Sequence, residues 1–191
     1  DMLDAMSSIL EDQPYLLGSH PTLVDFGLYG PMFRHFAVDP APARVMRDRA
    51  PAVMEWIGRM WNAKGSRFPE KQTLRDFSHP GWQYFLQDIM QTYWPMLLNN
   101  AQSWQQGKKR MDLTTPKITF HNLRVTHYRV YCLEVLQEHY LSLSKEERQQ
   151  VDEILSPYGK MSLIDNLTSG LNPDFELPLD GKAREVGIWE K

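Results

Sequence analysis

The sequence has a single cysteine, Cys132, among its 191 residues. No internal disulfide bridge is therefore available, which excludes a disulfide-stapled scaffold and fits a reducing compartment, so we expect a cytoplasmic protein. The longest apolar stretch covers only residues 93–98, far fewer than the roughly 20 residues that cross a bilayer. The N-terminal residues also lack the basic and apolar segments of a signal peptide. These absences predict a protein that does not cross a membrane.

Positive charge is in short supply. Lys and Arg number 21 against 24 Asp and Glu, which leaves a net charge of −3. Because this balance supplies no field for holding phosphates, we predict that nucleic acid is not a partner. The one dense basic run is Lys108-Lys109-Arg110. Such a run is typical of the C-terminal end of a helix, where cations suit the helix dipole.

Sequence motifs that carry enzyme chemistry are also missing. The sequence contains neither a GxGxxG nor a GxxxxGK[ST] loop for nucleotide phosphates, and no GxSxG turn for a nucleophilic serine. Its six histidines show no metal-ligand spacing such as HExxH. We therefore predict no catalytic, cofactor-binding or metal-binding residue in this chain.

One helical segment still offers two chemical alternatives. His127, Tyr131, Glu134 and Glu138 share a face, which fits either half of a carboxylate-histidine metal site or a solvated polar face. We favour the polar face, because no matching second helix is evident. Cys132 lies on the apolar stripe of the same helix, where burial raises the pKa of a thiol. That position favours a structural cysteine over a nucleophile.

Apolar spacing predicts a chain of helices. Residues 2–10 form one apolar helical face that ends before Pro14, and since the sequence starts inside this helix we interpret the chain as a fragment. The further predicted helices cover residues 22–36 with a bend at Pro31, a short segment to about 49, a helix opening at Pro51, 82–104 with a break at Pro95, 125–143 and 144–155.

The only strand-like alternation covers residues 117–125, which we expect to be extended or a short hairpin. Residues 156–191 are rich in Gly and Pro and predict an irregular tail. The fold class is therefore an all-α helical bundle with one short extended segment. Some of the tail's apolar residues are expected to dock on the helices, namely Leu163, Ile164, Phe175, Ile188 and Trp189.

Two of these helices have distinct faces in the prediction. The aromatic residues of the helix over 82–104 fit either a core or the wall of an apolar pocket, and helical spacing favours the core. The helix over 125–143 is expected to bury one apolar stripe. Its members are Val125, Tyr128, Cys132, Val135, Leu136, His139 and Leu143.

Two helix starts carry the signature of a capping box. Thr22 is followed three residues later by Asp25, and Ser144 by Glu147. In this motif the side chain of the first residue accepts a hydrogen bond from the backbone N–H of the residue three positions later. The carboxylate of that later residue in turn accepts from the backbone N–H of the first. Pro21 and Phe26 occupy the positions of a hydrophobic staple. The Thr22 box is therefore a folding device, which contributes about 1 kcal/mol.

The stretch from Pro14 to Phe26 resembles the C-terminal helical domain of glutathione S-transferases. That family enters its core helix through a glycine, a turn and a Ser/Thr-x-x-Asp capping box, and the matching positions here are Gly18, Thr22 and Asp25. The later segment Ala50–Trp56 is similar to the family's next helix, which commonly opens with a proline and carries a tryptophan, here Pro51 and Trp56. We expect a single helical domain over 1–191, similar to the family over 1–107 and extended by residues 108–191.

The resemblance implies a division of labour between two domains. In the family, an N-terminal thioredoxin-fold domain binds glutathione and carries the catalytic residue, while the helical domain supplies the hydrophobic substrate wall. This chain lacks the thioredoxin-fold half, so glutathione is expected only with an upstream domain, which would be the main partner. Family members are usually homodimers. The alternative is a non-enzymatic protein-interaction module, because the same helical fold also serves as a docking surface.

Overall fold

The structure is a computed structural model that describes residues 2–159. These residues form eight α-helices and one β-hairpin. The helices are α1 (Met2–Asp12), α2 (Leu23–Pro31), α3 (Pro40–Arg49), α4 (Pro51–Trp61), α5 (Gly81–Asp88), α6 (Trp94–Gln105), α7 (His127–Ser142) and α8 (Lys145–Leu155). The strands are β1 (Arg110–Thr114) and β2 (Thr119–Arg124). The all-α prediction with one short hairpin is confirmed. The predicted docking residues of the tail lie outside the described residues.

Contacts divide the chain into two compact units, Asp1–Ile89 and Met90–Lys191. The sequence-based division at residue 107 rests on family resemblance rather than on contacts, so it stays a prediction, as does the single-domain description of 1–191.

In the first unit, α1 packs against α3, α4 and α5. α1 and α4 contribute fully buried side chains at the positions that their helical spacing predicts, namely Met6, Ile9, Val53 and Trp56. Pro51 occupies the first turn of α4, where its missing N–H costs nothing. At Pro31 the α-helix changes to a π-helical segment over Met32–Ala37. A proline lacks the donor that continues an α-helix, which accounts for this change.

In the second unit, α6 packs against α7 and β1. Its core consists of Met90, Trp94, Leu97 and Ala101 together with Val130 and Leu133. The two strands pair antiparallel, with an irregularity between Met111 and Leu113 at which two residues of β2, His121 and Asn122, lie opposite Asp112.

The interpretation of the basic run was wrong. Helix α6 ends at Gln105, and Lys108 and Lys109 follow it while Arg110 begins β1. Gly107 has a φ of +68°, and its N–H donates to the Trp104 carbonyl while Lys108 N–H donates to Ser103. This is a Schellman ending, in which the left-handed glycine reverses the chain before the basic residues.

The predicted stripe of α7 was also wrong. The buried residues of α7 are Val130, Leu133 and Gln137, whereas Tyr128 is 66% exposed. Cys132 and Val135 are only half-buried, and Leu136 and His139 are exposed. Apolar residues occur on several sides of α7, so spacing does not select one face, and packing against α6 decides it.

The helix predicted over 82–104 contains a further irregularity. A π-helical segment, Ile89–Tyr93, separates α5 from α6, and Pro95 lies in the first turn of α6. Because a π turn adds one residue to a helical turn, the apolar face shifts in phase along the sequence. Trp82 and Trp94 are buried as a core would require, but Tyr93 and Trp104 are partly exposed.

Candidate functional site

The start of α2 is organised by the carboxylate of Asp25, which is completely buried. Its Oδ2 accepts hydrogen bonds from the N–H and the hydroxyl of Thr22, both at 2.8 Å. Its Oδ1 accepts from the N–H of Leu16 at 2.9 Å and from the indole N–H of Trp56 at 3.0 Å. One carboxylate therefore joins the preceding turn, the helix N-terminus and α4.

These four hydrogen bonds occupy the acceptor sites of the carboxylate, which has two oxygens with about four lone-pair directions. All of its donors belong to the backbone or to side chains of the same unit. Such an arrangement orders the chain and leaves no oxygen directed at a substrate. Leu16 and Trp56 were missing from the sequence-based site, because they lie 9 and 31 residues away from Asp25.

Gly18 shapes the turn before α2. Its φ of +128° belongs to the region that favours glycine. Tyr15 and Gly18 exchange backbone hydrogen bonds of 3.2 and 3.1 Å. A Cβ at position 18 would lie 2.1 Å from the carbonyl oxygen of Thr73, so a larger residue would displace one of the two segments.

The same turn holds a distant segment, residues 68–75. Thr73 N–H donates to the Ser19 hydroxyl at 2.9 Å, and this hydroxyl lies 2.6 Å from Nδ1 of His20. Nε2 of His20 lies 2.8 Å from the Pro69 carbonyl. Every partner is satisfied by the tautomer that carries its proton on Nε2. In this tautomer the Ser19 hydroxyl donates to Nδ1, and Nε2–H donates to the Pro69 carbonyl. The sequence predicts neither a helix nor a strand in this segment.

An exposed aromatic face runs along α2, the π-helical segment and the end of α4. We define it by Phe26 and Trp61, which are exposed, and by Tyr29 and Phe33, which are half-buried between them. The rings of Tyr29 and Phe33 stack at 5.6 Å between centroids, and those of Phe33 and Trp61 at 5.0 Å. Phe26 is 61% exposed and Trp61 66% exposed. Most of the ring of Phe26, one of the two staple residues, is therefore open to solvent.

The four α7 residues weighed as a metal site do not gather ligands. Within residues 2–159, no group of three His, Cys, Asp or Glu side chains is placed to hold a metal ion. The ring of His127 instead lies 5.0 Å from that of Trp104. Glu134 is half-buried, and this burial raises the pKa of its carboxyl. The α7 face is thus less solvated than predicted.

Cys132 lies beside two phenols rather than in a fully apolar setting. A hydrogen bond with Cys132 raises the pKa of Tyr128, and burial raises the pKa of Tyr93. The thiol is half-buried and packs against the core of the second unit. This position is compatible with the structural role favoured from the sequence.

Residues 1–59 match the family model described as the C-terminal domain of glutathione S-transferase. The beginning of this chain is thus similar to the C-terminal domain of glutathione S-transferases. The match contains Gly18, Thr22, Asp25 and Trp56, so the whole hydrogen-bonded assembly around Asp25 lies inside the transferase-like region. It stops well before residue 107, where the resemblance was expected to end.

No curated protein and no solved structure matches the chain. Among the helices of residues 2–159, none combines the length and the apolar character that a bilayer span requires. The transferase-like assignment therefore rests on the first 59 residues, and residues beyond them must be interpreted from their own structure.

Proposed function

We propose that this chain is the C-terminal helical part of a glutathione transferase-like enzyme. Its role is to provide a hydrophobic substrate wall and a packing surface for an upstream thioredoxin-fold domain, which binds glutathione. The exposed aromatic face carries this proposal. It lies within the transferase-like region apart from Trp61, which follows two residues later.

The aromatic face has the properties that such a wall needs. Its three stacked rings hold one another in place, so they offer a flat, ordered apolar surface. Leu23, at the beginning of α2, adds further exposed apolar area at 89% exposure. Contiguous apolar surface of this kind marks an interaction site in a folded protein.

The division of chemistry follows from the same proposal. The upstream domain supplies the group that activates the glutathione thiol, and this chain positions the apolar co-substrate. The isolated chain is therefore expected to show no conjugation of glutathione and no retention on immobilised glutathione. Cytoplasmic location and homodimer formation belong to the same proposal.

The coding sequence upstream of Asp1 provides the first test. A thioredoxin-like βαβ unit followed by a cis-proline segment supports the proposal, and the complete gene product should then conjugate glutathione to an apolar electrophile. An immediate start codon, or turnover by the 191-residue chain alone, would contradict it. The first of these results would favour the alternative of an interaction module.

A matched pair of tryptophan variants tests the aromatic face in the complete gene product. Trp61→Ala removes one ring of the stack and should raise the KM for an apolar electrophile about fivefold, because an aromatic contact contributes about 1 kcal/mol. Trp104→Ala removes a partly exposed tryptophan of the second unit and serves as the control. Equal KM values for the two variants would show that the face does not contact the co-substrate.

A further inference from the structure

The second unit contains an open pocket of about 620 Å³ at the junction of α6 and the hairpin. Four cationic side chains line it, namely Lys108, Lys109, Arg110 and Arg124, and Trp104 forms part of its wall. None of the described residues that line it is acidic. The basic run Lys108-Lys109-Arg110, which the sequence predicted to be a helix end, therefore lines this pocket.

Within residues 2–159, these four cations lack the ion-pair partners that usually neutralise surface charge. Arg110 donates to the Asn122 carbonyl at 3.1 Å, which orients its guanidinium but, because a carbonyl is neutral, does not offset its charge. The carboxylate of the nearby Asp112 accepts from Asn122 N–H at 2.8 Å and lies 2.9 Å from Nδ1 of His121, and within residues 2–159 it forms no ion pair with any of the four cations.

The hairpin forces two of these charges together. Arg110 and Arg124 are direct partners across the two strands, and like charges in this position destabilise a sheet. The Lys109 carbonyl accepts from Val125 N–H at 3.0 Å, so Lys109 is held at the same end of the hairpin. An anion between these side chains would relieve the repulsion.

The backbone around the pocket is rigidly held. Gly107 ends α6 in the left-handed conformation and turns Lys108 back toward the hairpin. The buried amide of Asn100 pairs with both the N–H and the carbonyl of Thr126, each at 2.9 Å, just after β2. Arg129 donates to the Arg124 carbonyl at 2.7 Å and brings another positive charge close to the pocket. The cations are therefore carried by an ordered frame.

We propose that this pocket binds a small phosphate ester with two or more phosphate groups. Guanidinium groups bind phosphate oxygens through paired hydrogen bonds, and Trp104 offers an apolar surface to the carbon part of the ligand. Residues 104–130 contain six Lys and Arg and one acidic residue, although the whole chain has a net charge of −3. This confined positive charge favours a compact anion over a long polyanion, which the remaining acidic surface would repel.

Calorimetric titration of the full 191-residue chain at low ionic strength tests the proposal. Tripolyphosphate and ATP should each bind with a stoichiometry of one, and adenosine should not bind. The double variant Lys109→Gln, Arg124→Gln should weaken both affinities at least about tenfold, because two charge contacts are lost. Trp104→Ala should weaken ATP binding more than tripolyphosphate binding. Raising the salt concentration should weaken binding through screening.

Lys145→Gln is the matched control, because Lys145 is an exposed lysine of the same unit outside this pocket. Its affinities should equal those of the unaltered chain, and circular dichroism should verify that all variants fold. Dissociation constants above about 1 mM for both probes would overturn the proposal. Equal weakening by the control would do the same. Binding of a single-stranded oligonucleotide without any binding of tripolyphosphate would also overturn it, since the surface would then recognise nucleic acid.

Discussion

The chain uses the capping box twice, once in each unit, and the two copies have different surroundings. In the first unit the Asp25 carboxylate is completely buried and also accepts from Leu16 and Trp56. In the second unit Glu147 is exposed and accepts from Ser144 N–H at 2.8 Å, while Ser144 Oγ accepts from Glu147 N–H at 3.2 Å. The box at Asp25 joins the preceding turn, the start of α2 and α4, whereas the box at Glu147 stabilises only the start of α8.

Asn100 extends this comparison to a buried polar group that has no sequence signature. Like Asp25, it has no exposed surface, and it holds the start of a helix, because Thr126 is the N-cap of α7. An amide satisfies one donor and one acceptor of the same residue, whereas a carboxylate can only accept. The starts of α2 and α7 are therefore ordered by different chemistry.

The largest expected effect is that of Asp25→Ala. It leaves the Leu16 N–H and the Trp56 indole N–H buried without their acceptor, which should lower the free energy of unfolding by about 3–5 kcal/mol. Thermal unfolding should show a lower Tm, and hydrogen exchange should show the loss of protection concentrated in residues 2–89. Trp56→Phe removes only one of the donors and should cost less.

Asp88→Ala provides the control for this substitution, because Asp88 is an exposed aspartate of the same unit. It should change stability by no more than about 0.5 kcal/mol. An unchanged Tm for Asp25→Ala would contradict the structural role assigned to its carboxylate.

Asn100→Ala should have an intermediate effect on the second unit. It leaves the Thr126 N–H and carbonyl without their partner, which should cost about 2–3 kcal/mol. Loss of hydrogen-exchange protection should centre on the start of α7. Asn99→Ala is the matched control: Asn99 is only half-buried, donates to the Asp112 carbonyl and accepts a long bond of 3.5 Å from the Ser103 hydroxyl, so its loss should cost about 1 kcal/mol or less. Equal effects of the two variants would argue against a special role for the buried amide.

The smallest effect is expected at Glu147. Hydrogen bonds from the Ser144 backbone and hydroxyl lower the pKa of its carboxyl below the ordinary value of 4.5. Because the folded-state pKa is depressed, its stabilising contribution is present above pH 4.5 and is lost as the pH falls through the folded-state value. NMR amide shifts of α8 between pH 7 and pH 3, about the range of carboxyl titration, should report this loss.

Glu147→Gln keeps an acceptor for the Ser144 N–H but removes the titrating group. The α8 amide shifts of this variant should therefore no longer follow the carboxyl titration. A pH response equal to that of the unaltered chain would show that another group is responsible.

Local signals predicted most helices correctly. Pro14 follows the end of α1, Pro51 opens α4, and both capping boxes mark the helix starts at which they occur. Each of these signals acts within one helical turn, through a missing N–H or a side chain that reaches its own backbone. Such effects are readable without knowledge of the rest of the fold.

Signals that depend on distant residues were not readable. The burial of Val130 and Leu133 in place of Tyr128 depends on where α6 lies. The alternation of buried and exposed residues in strand β1 covers only five positions, and its pairing with β2 completes the hairpin. The bonds that attach residues 68–75 to Ser19 and His20 span about 50 positions. The spacing of residues along the sequence carries no information about these long-range contacts.

The sequence by itself determined the helical architecture, the two capping boxes and the transferase-like character of the first residues. Only the tertiary structure decided that Asp25 gains two further donors, that the aromatic face remains exposed, and that Lys109 and Arg124 line the same pocket. The physical reason is the range of the forces involved. Backbone hydrogen bonding and capping act between near neighbours in sequence, whereas burial and the gathering of charge depend on which distant segments come together.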